Sequence, residues 1–221
     1  MFGESVTPTG RVFVKICGIT NLADALAAIE CGSDALGFNF FRGSKRYLEV
    51  RREADWMASL PERVSKVAIL VNPTWAEATA AAALPFIDAL QLHGDESPEF
   101  CQRLTEKGIR FAKAVPVGGK ARLADVPHFF TDLVMLDTIS GRGFGGTGET
   151  FPWSLGRRFV KAHPEYKVIV GGGLTPDNVA DAIRTIRPFG VDVTTGVESA
   201  PGRKDLRLLY AFFASVRGSD D

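Results

Sequence analysis

Three polar residues stand where short apolar runs end: Cys17 in VKICGIT, His93 in ALQLHG and Asp137 in VMLDT. A thiol, an imidazole and a carboxyl are groups that move protons, and a thiolate is also a nucleophile. Each has a plainer reading as well. A lone thiol near a strand end is ordinarily a small buried hydrophobe. His93 and Gln91 can satisfy each other or the backbone, Lys113 can neutralise a neighbouring carboxylate, and Asp137 before Thr138 can cap a turn. Cys31 and Cys101 fall in helical stretches and read as structural. His93, His128 and His163 lie far apart without paired-ligand spacing, which argues against zinc.

The elements that position these residues follow from hydrophobic patterning. Short apolar runs at 11–17, 34–40, 66–72, 87–93, 110–115, 132–137, 167–171 and 191–195 read as strands covered on both faces, as in a parallel sheet. Helical patterns follow each. Asn21 opens 22–30 and Gly32 closes it. The others are 49–59, an alanine-rich helix begun by Pro73, one opened by Ser97-Pro98, a glycine-weakened stretch at 118–126, then 153–162, 176–186 with Thr175 as cap and Pro176 first, and 204–216. Eight βα units in 221 residues predict a single-domain α/β chain folded as a (β/α)8 TIM barrel over 11–217. Residues 1–10 read as a flexible leader and 218–221 as a polar tail. A doubly wound open sheet remains the structural alternative.

Because strand residues alternate faces, Phe13, Lys15 and Cys17 share one face, as do Gln91 and His93, and Asp192 and Thr194. With Lys113 and Asp137 they are expected to point into the barrel near its C-terminal end, where barrel enzymes do their chemistry. Burying so many polar groups without a use would be costly.

Composition narrows the function. Lys and Arg number 26 against 26 Asp and Glu, so no broad basic face exists for a nucleic-acid backbone. No apolar run reaches the length of a membrane span, and the leader lacks a secretion-signal pattern. Three cysteines without a CxxC suit a reducing, cytoplasmic setting.

Two glycine-bearing loops suggest an anion site: GGGLTPDNV at 171–179 and TTGVES at 194–199. Backbone N–H groups beside helix starts hold phosphate, and the loops after strands seven and eight are the usual cradle in barrels. GRGFGGTG at 141–148 contains GxGxxG, but it does not run from a strand directly into a helix. It reads as a covering loop rather than a dinucleotide fingerprint.

Taken together, KICGIT at 15–20, SKRY at 44–47, QLHG at 91–94, LDT at 136–138, GGTGETFPW at 145–153, GGLTPDNV at 172–179 and DVTTGVES at 192–199 followed by PGRKD resemble the phosphoribosylanthranilate isomerase family. The resemblance implies a barrel enzyme of tryptophan biosynthesis, acting at the third step of the route from chorismate. The reaction is the Amadori rearrangement of N-(5-phosphoribosyl)anthranilate to 1-(2-carboxyphenylamino)-1-deoxyribulose 5-phosphate, without cofactor or metal. It further implies Cys17 as general base, Asp137 as general acid, and Arg46 as holder of the anthranilate carboxylate. Gly172, Gly173, Thr194, Thr195 and Gly196 would surround the phosphate, with Asp192 among the substrate-binding residues. The implied partner is a small phosphoribosyl molecule, with other enzymes of the pathway as candidate protein partners and neither nucleic acid nor membrane. FPW at 151–153 stands where the family commonly has FDW, Gly171 replaces a usual serine or alanine, and Thr194-Thr195 replaces a serine pair. The histidine-pathway isomerase shares the rearrangement but resembles an arrangement with aspartate where Cys17 stands. To donate, Asp137 must hold a proton that an ordinary aspartate has lost at neutral pH. Lys15, on the face of Cys17, is expected to favour the thiolate.

Overall fold

A computed structural model describes residues 11–117, 122–138 and 150–219. The expected covering loop at 141–148, the leader at 1–10 and the end of the tail lie outside them. Eight parallel strands close a barrel in chain order: β1 (Phe13–Cys17), β2 (Ala35–Asn39), β3 (Ser65–Leu70), β4 (Ala89–Leu92), β5 (Phe111–Val117), β6 (Leu133–Thr138), β7 (Lys167–Val170) and β8 (Gly190–Val193). The expected (β/α)8 barrel is the fold, and the open sheet is excluded. Closure is made by β1 on β8, where Lys15 pairs in register with Asp192.

Local chemistry explains where the helices begin. In α1 (Leu22–Cys31) the Asn21 side chain accepts the Asp24 N–H, and Gly32 ends the helix with φ of 106°. α2 is Val50–Ala58. α3 (Trp75–Ala82) starts later than expected from Pro73, because Thr74 and Glu77 form a reciprocal capping box. α4 (Pro98–Glu106) begins as expected, with Ser97 capping and proline first. The fifth helical stretch is a 3₁₀ helix, Arg122–Phe129, containing Pro127, which has no N–H to donate. α5 (Trp153–Ala162) starts at Pro152 without a side-chain cap, the local consequence of FPW. α6 (Val179–Ile186) is shorter than expected. Asn178 bends over the preceding turn instead, accepting the Thr175 N–H at 2.8 Å and donating to the Gly173 carbonyl at 3.0 Å. After β8 come a 3₁₀ turn (Thr195–Val197), a short antiparallel pair of β9 (Glu198–Ala200) and β10 (Arg203–Lys204), and α7 (Leu206–Arg217), capped by Asp205.

The strands sort their faces as alternation requires. Val14, Ile16, Leu36, Phe38, Leu90, Leu92, Val134, Leu136, Val191 and Val193 pack outward into the helix layer. Phe13, Ala35, Val67 and Ile169 fill the floor of the barrel, and Phe189 stacks on Phe13 at 5.5 Å.

Lys113 departs from the expectation. It shares a face with Phe111 and Val115, which belong to the outer core, and its Nζ lies 5.5 Å from the Phe129 ring centroid. Its partner there is Glu96, at 2.7 Å, with the Gly94 carbonyl also at 2.7 Å. Glu96 in turn accepts the N–H groups of Asn72 and Gly94. Lys113 therefore neutralises a carboxylate and braces the loop that follows His93, rather than lining the barrel. The inward residues of β5 are the small ones, Ala112 and Ala114. Removing one member of so buried a pair leaves an uncompensated charge. Lys113→Met is expected to lower stability by about 3–5 kcal/mol in urea unfolding, against about 1 kcal/mol for Thr74→Ala at the α3 cap. Equal midpoints for the two variants would refute this.

Candidate active site

Cys17 ends β1 on its inner face, buried. The space for its sulfur comes from Gly37 of β2, where a Cβ would lie 2.9 Å from Sγ and 3.0 Å from the Lys15 Nζ. One layer beneath, Lys15 Nζ donates to Asp192 Oδ1 at 2.7 Å, with both side chains almost wholly enclosed. Burial pushes the Cys17 thiol up, while Lys15 and, more weakly, Lys204 and a hydrogen bond with Thr194 pull it down and Asp192 adds to the rise. The net is upward. The expected help from Lys15 is present, but Asp192 already uses that cation and burial outweighs it. Cys101, inside α4, is pushed by burial to about 11 and faces no reaction site, in keeping with its structural reading.

Asp137 ends the inner face of β6. Its Oδ1 accepts the Thr138 N–H at 2.7 Å and its Oδ2 lies 3.0 Å from His93 Nε2. The Gln91 Nε2 lies 2.8 Å from His93 Nδ1. With the Gln91 amide nitrogen donating in its assigned orientation, Nδ1 accepts, so Nε2 carries the ring proton and donates to Asp137. Gln91 and His93 do satisfy each other, as the plain reading held, but the chain continues to the carboxyl. Sequence reasoning did not link His93 to Asp137. The available signal was their shared inward phase at the ends of β4 and β6.

Between thiol and carboxyl lie the ends of β7 and β8. Gly172 and Gly173 both have left-handed backbones, with φ of 79° and 67°, and their N–H groups donate to no other described residue. A Cβ on Gly172 would lie 2.5 Å from Asp137 Oδ1, so the loop presses against the carboxyl. A Cβ on Gly196 would lie 1.9 Å from the Leu174 carbonyl oxygen. The loops after β7 and β8 thus meet backbone to backbone, which only glycine allows. Thr194 and Thr195 stand beside them at the start of the 3₁₀ turn.

Arg46 reaches the same mouth from the β2–α2 connection. It lies over Gly18, where a Cβ would sit 2.5 Å from the Arg46 Cδ. Its Nε and Nη2 fork onto Glu198 at 2.8 and 2.6 Å. The structure therefore gathers Cys17, Asp137, Arg46, Gly172, Gly173, Asp192, Thr194, Thr195 and Gly196 at one end of the barrel. Asp192 sits in the layer of Lys15 rather than level with the thiol. Among the described residues, no three His, Cys, Asp or Glu side chains converge as a metal site, and no helix is long and apolar enough to cross a membrane.

Known proteins resemble this chain in sequence and in fold. Residues 14–215 match the family model of N-(5′-phosphoribosyl)anthranilate (PRA) isomerase. The N-(5′-phosphoribosyl)anthranilate isomerase of Magnetococcus marinus is 41% identical over 210 residues, covering 95% of this chain and 97% of the relative. That of Geobacter metallireducens is 44% identical, covering 93% and 99%. The crystal structure of the Thermotoga maritima phosphoribosyl anthranilate isomerase superposes with a TM-score of 0.84 at 37% identity, covering 94% of this chain and 99% of that one. A similar structure, with a TM-score of 0.80 at 36% identity and the same coverage, is a complex with reduced 1-(o-carboxyphenylamino)-1-deoxyribulose 5-phosphate. With its barrel and nearly its whole length matched, the chain belongs to the N-(5′-phosphoribosyl)anthranilate isomerase family.

Proposed function

We propose that this chain isomerises N-(5-phosphoribosyl)anthranilate to 1-(2-carboxyphenylamino)-1-deoxyribulose 5-phosphate, the third step of tryptophan biosynthesis, with Asp137 as acid and Cys17 as base. The observation that carries the reading is that thiol and carboxyl end strands on different sides of one glycine-lined anion cradle, linked through β7 and β8 by Gly172 against Asp137 and Asp192 against Lys15. A sugar tethered by its phosphate at the Gly172–Gly173 and Thr194–Gly196 loops would lie between them, with its anthranilate carboxylate toward Arg46.

The protons then balance without an outside reactant. Asp137 gives its proton to the ribose ring oxygen, the C1′–O bond breaks, and the anthranilate nitrogen becomes an iminium. Cys17, as thiolate, takes the proton from C2′, and the electron pair forms an enaminol. That species gains a proton at C1′ and loses one from the C2′ hydroxyl, giving the ketone. Two protons enter, at the ring oxygen and C1′, and two leave, from C2′ and its hydroxyl. His93 acts through Asp137. It fixes Oδ2 with one donor, while Gln91 can face the ring with its amide nitrogen or, after a flip, with its oxygen.

Each positioned proton-transfer group is worth about 10²–10⁴-fold. Cys17→Ala and Asp137→Asn are each expected to reduce kcat by that amount in a fluorescence assay following phosphoribosylanthranilate generated in place. A variant of either residue turning over at the wild-type rate would defeat the assignment. His93→Ala removes one hydrogen bond to the carboxylate that Asp137 becomes once it has given its proton away, so its loss should be smaller, roughly 10–100-fold. A rate equal to that of Asp137→Asn would mean instead that the ring is itself the acid.

The pH dependence has a definite sign. Since burial raises the thiol above its ordinary range, the base-dependent rise of kcat/KM is expected to continue into the alkaline region. Asp192 contributes to that rise, so Asp192→Asn is expected to move the limb to lower pH by favouring the thiolate. A shift to higher pH would show that the role of Asp192 in orienting Lys15 outweighs its charge.

A further inference from the structure

The segment from Glu198 to Asp205 contains a buried cation that neither the acid nor the base requires. Lys204 sits on β10 with its side chain wholly enclosed. Its three N–H donors meet three acceptors: the Cys17 carbonyl at 2.6 Å, the Thr194 carbonyl at 3.2 Å and Glu198 Oε1 at 3.1 Å. An ammonium suits three acceptors spread around a point, whereas the flat guanidinium fork does not. Glu198, also enclosed, holds Arg46 through Nε and Nη2 and accepts the Gly202 N–H on Oε1.

The charges of this row decide what Arg46 can offer a ligand. Arg46 and Glu198 alone make a neutral pair, and an incoming carboxylate would meet the Glu198 anion behind the guanidinium. Lys204 restores a net charge of one positive unit to the three. Nη1 of Arg46 is not used by Glu198, so the guanidinium keeps an edge for a second carboxylate. Ordering by Glu198 fixes that edge before the ligand arrives, which lowers the entropy lost on binding.

We propose that Lys204 is a specificity-determining residue, offsetting Glu198 so that the rigidly held Arg46 remains net-attractive to the carboxylate of the substrate. This rests on the proposed function in giving Arg46 that ligand. Lys204 acts through Arg46 and touches no reacting atom.

The test varies the net charge of the row and the charge of the ligand together. The probes are the reduced product, reduced 1-(o-carboxyphenylamino)-1-deoxyribulose 5-phosphate, and the same reduced amine built from aniline, which lacks the carboxylate. The ratio of their dissociation constants, by calorimetry on full-length protein, measures recognition of the carboxylate alone. Lys204→Met leaves the row neutral, Glu198→Gln makes it doubly positive, and the double variant returns it to one positive unit. The preference for the carboxylate ligand is expected to follow that order. It should fall by about tenfold in Lys204→Met, the scale of one charged hydrogen bond, rise in Glu198→Gln, and return close to wild type in the double variant. Affinity for the aniline ligand, which keeps the phosphate, should change less across the series than that for the carboxylate ligand.

A merely structural Lys204 predicts otherwise: both ligands weaken together in Lys204→Met, and the double variant is no better. Either result overturns the proposal. Should Lys204→Met fail to fold, Glu198→Gln and the double variant still carry the ordering, and an unchanged or reduced preference in Glu198→Gln overturns it. Wild type binding neither ligand would instead bring down the activity reading, and this inference with it.

Discussion

The site depends on one closure, β1 against β8, sealed by the ion pair of Lys15 and Asp192. These residues are 177 positions apart in the chain and pair in register with a 2.7 Å contact inside the barrel. Neither charge could remain there alone, because an unpaired buried ion costs several kcal/mol. Their pairing fixes the relative height of the two strands. It thereby sets Cys17, two residues beyond Lys15, level with Thr194, two beyond Asp192. The thiol and the loop after β8 are brought together by an interaction that lies below both.

Around that closure the site is shaped as much by missing side chains as by those present. Gly37 leaves room for the sulfur, Gly18 for the Arg46 stem, and Gly172 for the carboxyl of Asp137. At Gly196 two loop backbones come within a distance no Cβ could share. These allowances cluster at the C-terminal ends of β1, β2, β7 and β8. The side chains of the candidate site could not converge without them, because at each of these places a Cβ would lie 2.9 Å or less from a neighbouring atom.

Strand phase and cap chemistry were legible from the residues because both are local. Phe13, Lys15 and Cys17 face inward, and so do Gln91 and His93, just as alternation requires. The caps at Asn21, Ser97 and Gly32 follow from single side chains or a single left-handed turn. Lys113 was misplaced because polarity suggested an inward direction. The better signal in RFAKAV is size: Ala112 and Ala114 are small enough for a crowded barrel interior, leaving Phe111, Lys113 and Val115 outside. The starts of α3 and α6 were missed because proline marks a possible first position, whereas Thr74 and Asn178 offer hydrogen bonds that decide the outcome. Arg46 on Glu198, His93 on Asp137 and Lys204 on Cys17 were not legible. Each joins residues from different strands or loops, and no local pattern encodes such a distance. Motif resemblance located Arg46 and Asp137, but it was silent on what holds them.

The raised thiol bears on the order of events in the proposed reaction. In the free protein, burial keeps Cys17 protonated further up the pH scale than an ordinary cysteine, and arrival of an anionic substrate adds negative charge nearby, which disfavours the thiolate further. The compensating charge is generated by the reaction itself. When Asp137 protonates the ring oxygen, the nitrogen at C1′ becomes an iminium, a cation one bond from the C2′ proton. In an enclosed site of low effective dielectric, that cation stabilises a nearby thiolate far more than it would in water. It also makes the C2′ proton more acidic. In the proposed reaction, acid and base would therefore be coupled through the substrate: ring opening by Asp137 would create a field that steadies the Cys17 thiolate.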